Sequence, residues 1–278
     1  MNFADFASAH GLEIHPLEDG RITRCATKEH PGKKNGAYLY EFDWGWVQNW
    51  SEMTEPAYWR DETIVDPVEI ERQKARMEAS RKQHAQERAM DAQNAAQKAK
   101  AIIKQARIEQ HATLDAHGMP DRLGLVYYPN EDTNLLVIPM AINGELCGCQ
   151  LISRHGEKKF IKGQRTKGAE HVIGSHGMDV WVEGFCTGVA VHISLQAIKI
   201  PARVHITFSA GNLKIMARTG VVIADHDASG VGQSVAAETG IPFYLPENEG
   251  DDFCDEWQRI GTFKAGMILR NLLQSARK

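Results

Sequence analysis

The chain is 278 residues long, 42% hydrophobic and 24% charged, with a net charge of −4 at pH 7; this suits two or three packed units and excludes a disordered chain. It holds no apolar run of about eighteen residues, and its start, MNFADFASAHGLEIH, has neither the basic cluster nor the apolar stretch of a secretory signal. A cytoplasmic protein with no membrane partner is therefore expected, and the odd set Cys25, Cys147, Cys149, Cys186 and Cys254 argues against both a disulfide framework and a zinc site.

Residues 1–61 mix aromatics with Gly, Pro and Asn turns, as in GRITRCAT and HPGKKNGAYLYEFDWGWVQNW, and predict a small β-rich module without a zinc site. Tyr38, Tyr40, Phe42, Trp44, Trp46 and Trp50 fall at even spacing, which predicts one shared face. The expected use of that face is the module's core, with a base-stacking platform as the alternative. Residues 62–118 read as a long charged helical connector: Pro67 suits a first helical position, and Ala, Gln, Glu, Lys and Arg follow with no Gly or Pro until Gly118. Its apolar residues are too sparse for a coiled-coil seam, so a solvated connector of one helix or two is expected. DNA contact through Arg72, Lys74, Arg76, Arg81, Lys82 and Arg88 is the alternative.

Residues 119–178 predict a second β-rich unit. LLVIPMAI, ELCGCQLIS and EKKFIKG are short apolar or alternating runs parted by Asn143-Gly144 and His155-Gly156. Its segment 150–178 is basic, carrying Arg154, Lys158, Lys159, Lys162, Arg165 and Lys167 against Glu157 and Glu170. Such a run suits phosphates, because Lys and Arg neutralise them without reading sequence; a solvated hairpin face is the plainer alternative. Residues 179–278 alternate apolar strands with helices, the pattern of a parallel sheet covered on both faces, whose ligands bind at the carboxyl ends of the strands.

Acidic residues fall at those ends. Glu183 closes VWVEG, Asp225 and Asp227 close VVIADHD, and Asp252 and Asp255 stand in GDDFCDEW. Any one of them suits a helix cap, but carboxylates that converge repel one another unless a cation neutralises them. An all-oxygen set suits Mg²⁺ or Mn²⁺ rather than zinc. His226 and His205 read as turn or core residues, and Asn212 as a turn residue or a support for the site's loop.

The ordered set VEGFCTG, SAGNL, VVIADHDASG and GDDFCD resembles the TOPRIM domain of bacterial-type primases, topoisomerases and some nucleases, most closely the primases encoded by phages and plasmids. The likeness spans about residues 179–260. The basic stretch LLVIPMAINGELCGCQLISRHGEKKFIKG is similar to the subdomain that precedes TOPRIM in those primases, and DGRITRCATKEHPGKKNGAYLYEF to a module at the start of such phage proteins. The resemblance implies a TOPRIM-type sheet with Glu183, Asp225 and Asp227 catalytic and metal-binding, and Asp252 and Asp255 on a second ion or its waters. It further implies single-stranded DNA and nucleoside triphosphates as substrates on the basic run, a separate replicative helicase as partner, and a bacterial host cell. The chain departs from the pattern at Thr187, where many primases carry a further aspartate, in lacking the usual zinc ribbon, and in lacking a nucleotide-binding Walker motif. A TOPRIM nuclease and a non-catalytic nucleic-acid- or partner-binding protein are the competing expectations.

Overall fold

A computed structural model of the chain describes residues 1–41, 43–61 and 67–276; the side chains of residues 67–70, 73 and 74 also lie outside the description. Phe42, Asp66 and the Lys74 side chain are therefore not placed. The chain divides into two compact units, residues 1–89 and 90–278. No helix among the described residues is long and apolar enough to cross a membrane.

The first unit opens with α1 (Phe3–Ala9), capped by the Asn2 side chain, which accepts from the Asp5 N–H at 2.8 Å. Five antiparallel strands follow and pair in chain order: β1 (Leu12–Glu13), β2 (Thr23–Thr27), β3 (Gly36–Glu41), β4 (Trp44–Asn49) and β5 (Ala57–Arg60). Phe3 and Ala7 of α1 pack on Leu12, Tyr38, Val47 and Trp59 of the sheet. Gly45 permits this, since a Cβ there would stand 2.6 Å from both the Phe3 ring and the Leu39 carbonyl.

The aromatics do not share one face. Tyr38 pairs with Val47 and Tyr40 with Gly45, whereas Trp46 pairs with Leu39 and Trp44 with Glu41. Directly opposed residues of an antiparallel pair lie on the same side, so the hairpin sends the β3 tyrosines inward and the β4 tryptophans outward. Even spacing predicts one face only while the chain runs straight.

α2 (Pro67–Gln105) is a single helix of 39 residues. Its end is packed, not solvated: Ala95, Ala99 and Ile102, spaced to fall on one face, are buried against Val137, Cys149 and Ile161. It ends well before Gly118, because residues 107–109 pair as an edge strand; sheet pairing there overrides helix propensity.

That strand, β6 (Arg107–Glu109), is followed by α3 (Ala112–Ala116), β7 (Gly124–Asn130), β8 (Thr133–Ile142), β9 (Glu145–Ser153) and β10 (Lys158–Phe160). The strands form an antiparallel sheet in the order β10-β9-β8-β7-β6. Asn143 and Gly144 turn the central hairpin with φ of 52° and 81°, as the Asn-Gly pair predicts.

The remaining elements are β11 (His171–Ile173), β12 (Met178–Val182), α4 (Phe185–Ala197), β13 (Ala202–Ile206), α5 (Ala210–Met216), β14 (Val221–Ile223), α6 (Val231–Glu238), β15 (Phe243–Tyr244), α7 (Phe253–Ile260) and α8 (Thr262–Ser275). They build a mixed α/β layer with strand order β11-β13-β12-β14-β15. β12 to β15 are parallel and β11 is antiparallel to β13. Leu195, Phe253 and Leu269 pack α4, α7 and α8 on one face, while Leu213 and Ala236 pack α5 and α6 on the other. Leu136, Ile138 and Ile152 of the antiparallel sheet join the first of these cores, so the two sheets of the second unit share one interior.

Candidate functional site

The carboxyl ends of β12 and β14 carry the acidic residues. Glu183 follows β12 directly, and its carbonyl accepts the Phe208 N–H at 3.0 Å, carrying the pairing with β13 past the strand's last residue. Asp225 leaves β14 after the buried Ala224. The turn into α6 closes tightly over it: a Cβ on Gly232 would lie 2.4 Å from the Asp225 carbonyl, so only glycine fits. Between the two aspartates, His226 points away to the Pro246 carbonyl, 2.8 Å from Nδ1, and its backbone bonds to the 250–251 loop. It is a fastener of two loops, as its reading as a turn residue implies.

Three other carboxylates act on that of Asp225. Burial first, then the charges of Asp252 and Glu183, push the Asp225 carboxyl up to about 7, with Lys158 opposing. Its Oδ1 is buried with no hydrogen-bond partner. Glu183 is raised as well, by burial and by Asp227, again against Lys158. Asp227 behaves in the opposite way: it is exposed, and the Ser229 hydroxyl with the N–H groups of the following turn holds it below the ordinary value. Asp227 does not cap α6, whose N-cap is Gly230 with no side-chain cap bond; it binds the turn before that helix, while its charge still reaches Asp225 and Glu183.

Asp252 has two tasks. As N-cap of α7 its Oδ1 accepts from the N–H groups of Cys254 at 2.7 Å and Asp255 at 3.0 Å, and its Oδ2 accepts from the Thr187 hydroxyl at 3.0 Å. Asp255 is turned elsewhere. Its carboxylate closes the capping box on the Asp252 N–H at 3.1 Å, and it is exposed. The structure therefore brings Glu183, Asp225 and Asp252 together, with Asp227 at the rim, and leaves Asp255 outside.

Among the described residues no group of three or more His, Cys, Asp or Glu is placed so that it could hold a metal ion. The chemistry of the acids, as distinct from their present placement, is that of hard oxygen donors. An unpartnered buried carboxylate oxygen and two carboxyls pushed upward are what an ion at this spot would relieve.

The six basic residues do not form one cluster. On β10, Lys158 pairs with Ile152, which belongs to the core shared with the parallel sheet, whereas Lys159 pairs with Leu151, which packs on the α2 side. Strand alternation thus aims Lys158 at the acidic end, where its charge acts on Glu183, Asp225 and Cys186. Lys159 instead faces Glu157 at 3.5 Å. The charge of Arg154 acts on His111, and that of Arg165 on Cys147, whose thiol donates to the Arg165 carbonyl. Lys162 and Lys167 are exposed.

Two polar residues do more than their sequence context suggests. Asn212 is buried, donating to the carbonyls of Thr166 at 2.7 Å and Thr207 at 3.0 Å and accepting the Gly168 N–H at 3.0 Å, so it fixes the loop that carries Arg165 and Lys167. Thr187, four residues after Glu183 and one helical turn into α4, is the hydroxyl that orients Asp252. His205 is a core residue, stacked on Trp181 and held between Glu170 at 2.6 Å and Asp179 at 3.1 Å. Phe208, at φ 65°, and Phe160 of β10 meet beside Glu183 with ring centroids 6.4 Å apart; only the exposed phenylalanine in a basic strand hinted at this contact in the sequence.

In an alignment 220 positions long that covers 73% of its length, the chain is 26% identical to a protein named DNA primase TraC from Escherichia coli. The matched region is 20% of that protein, so the chain spans about a fifth of the relative's length. No family model and no solved structure matches the chain.

Proposed function

We propose that the chain is a primase-like nucleotidyltransferase of TOPRIM type, which joins nucleoside triphosphates into short primers on single-stranded DNA with Mg²⁺ or Mn²⁺ as cofactor. The observation that carries this reading is the buried, unpartnered Asp225 Oδ1, on whose carboxyl the charges of Asp252, Glu183, Lys158 and Asp227 all act. The distant likeness to a protein named a DNA primase supports it from a separate direction.

In the reaction a primer 3′-oxygen attacks the α-phosphorus, the bond from that phosphorus to the bridging oxygen breaks, and pyrophosphate leaves. A divalent cation held by Glu183, Asp225 and Asp227, with Asp252 beside them, would supply charge neutralisation for the triphosphate and the entering oxygen. Lys158 neutralises phosphate from the opposite side. Thr187 fixes the rotamer of Asp252, and Asp255 acts through the cap that sets the start of α7. Arg165 and Lys167, on the loop pinned by Asn212, hold template or triphosphate backbone with Arg154, Lys159 and Lys162. A separate replicative helicase belongs to the same proposal.

The test is product length. Incubation with single-stranded DNA, ribonucleoside triphosphates and Mg²⁺ or Mn²⁺ is expected to yield new oligonucleotides. Shortened template would instead assign the same acids to hydrolysis. Unchanged activity in the Asp225→Ala, Asp227→Ala double variant would end both assignments.

A further inference from the structure

The edge strand β10 presents two side chains to the acidic end, and the nucleotidyl-transfer reading uses one. Lys158 and Phe160 are two residues apart, so they share a face and lie roughly 6.6 Å apart along the strand, at about 3.3 Å per residue. The register fixes which face: Lys158 is opposite Ile152 and Phe160 opposite Gln150, both buried. Phe160 meets Phe208 at 83°, an edge-to-face contact.

Phe208 is held close to the carboxylates by its backbone. Its N–H donates to the Glu183 carbonyl at 3.0 Å, and its φ of 65° is a conformation that bulky L side chains rarely adopt. Core packing does not account for Phe160. It is 43% exposed on a strand whose three residues are all exposed, and an edge-to-face pair engages at most one face of its ring.

We propose that Phe160, braced by Phe208, is the stacking surface for the base of the nucleoside triphosphate, whose phosphates lie between Lys158 and the Glu183–Asp225 pair. The spacing suits one ligand with a charged end and a flat end. Stacking alone reads no hydrogen-bond pattern, so the surface accepts all four bases. This inference rests on the nucleotidyl-transfer reading and adds what holds the base.

The experiment is calorimetric titration of the full chain, in Mg²⁺, with each nucleoside triphosphate and with inorganic tripolyphosphate, which has no base. Phe160→Ala is expected to weaken all four nucleotides about tenfold and to leave tripolyphosphate and the melting temperature unchanged. Phe160→Tyr is expected to restore nucleotide binding. Equal nucleotide affinity in wild type and Phe160→Ala overturns the stacking role and leaves the transfer reading intact. An equal loss of tripolyphosphate binding also overturns it, by showing a merely structural part. If wild type binds neither ligand, the transfer reading itself falls and takes the stacking role with it.

Discussion

At Asp225 burial and three neighbouring carboxylates work against ionisation, so the native site stores repulsion that a neutral isostere removes. Asp225→Asn is expected to raise the melting temperature without divalent cation at pH 8, on the order of 5 °C, while lowering the proposed nucleotidyl transfer at least about 100-fold. Mg²⁺ is expected to raise the wild-type melting temperature and to leave that of the variant unmoved; an equal gain in both would place the ion elsewhere. His205 gives a separate pH effect. Burial acts downward on it, but its hydrogen bonds to Glu170 and Asp179 outweigh this and raise its pKa above 6.5. Protonation is therefore favoured in the folded state, and the stabilisation is complete below about pH 6.5 and lost as pH rises through the raised value. Asp179 is shared with Arg203 at 2.6 Å and with the Thr219 hydroxyl, so the imidazolium sits within a network rather than one pair. Melting curves from pH 6 to 8.5 are expected to fall more steeply for wild type than for His205→Gln; parallel curves would remove the linkage.

Among the elements, the junction of α5 with the 166–169 loop is held by Asn212. Asn212→Ala removes one accepted and two short donated hydrogen bonds from a buried position. A loss of about 2–3 kcal/mol is expected, with faster amide exchange confined to residues 166–169; uniform exchange would show a global role only. The sequence made the parallel layer legible because each strand is an apolar run ended by a turn signal, and VWVEG and VVIADHD closed their strands in acids. It left α5 unread, since GNLKIM is too short to show a helical period, and α1 likewise. Asp255 looked like a ligand because residues 252 and 255 are acidic alike, yet the same spacing makes a capping box, and only side-chain direction separates the two uses. The basic run looked like one cluster because its residues are close in sequence, yet alternation along β10 parts Lys158 from Lys159 across the sheet.

For the whole molecule, the second unit holds its own interior: α2 closes it with Ala95, Ala99 and Ile102, and both its sheets share the core around Ile138, Ile152 and Val182. A fragment of residues 90–278 is expected to melt in one cooperative transition and to keep Mg²⁺-dependent stabilisation; a broad, non-cooperative melt would show that residues 1–89 complete the fold. This sharing was hidden in the sequence, where the basic β-rich stretch and the parallel layer read as successive blocks, because contacts between distant strands leave no local period. The same burial governs the thiols. Desolvation pushes Cys25, Cys149 and Cys186 up to about 11, and raises Cys147 and, further still, Cys254. Four of the five are also buried, so the native cysteines are expected to react slowly with maleimides, the half-buried Cys147 first among them. An exposed cysteine introduced on any surface loop would then be the fast-reacting group, and the wild-type chain needs no cysteine removal before a fluorophore is attached at one chosen place.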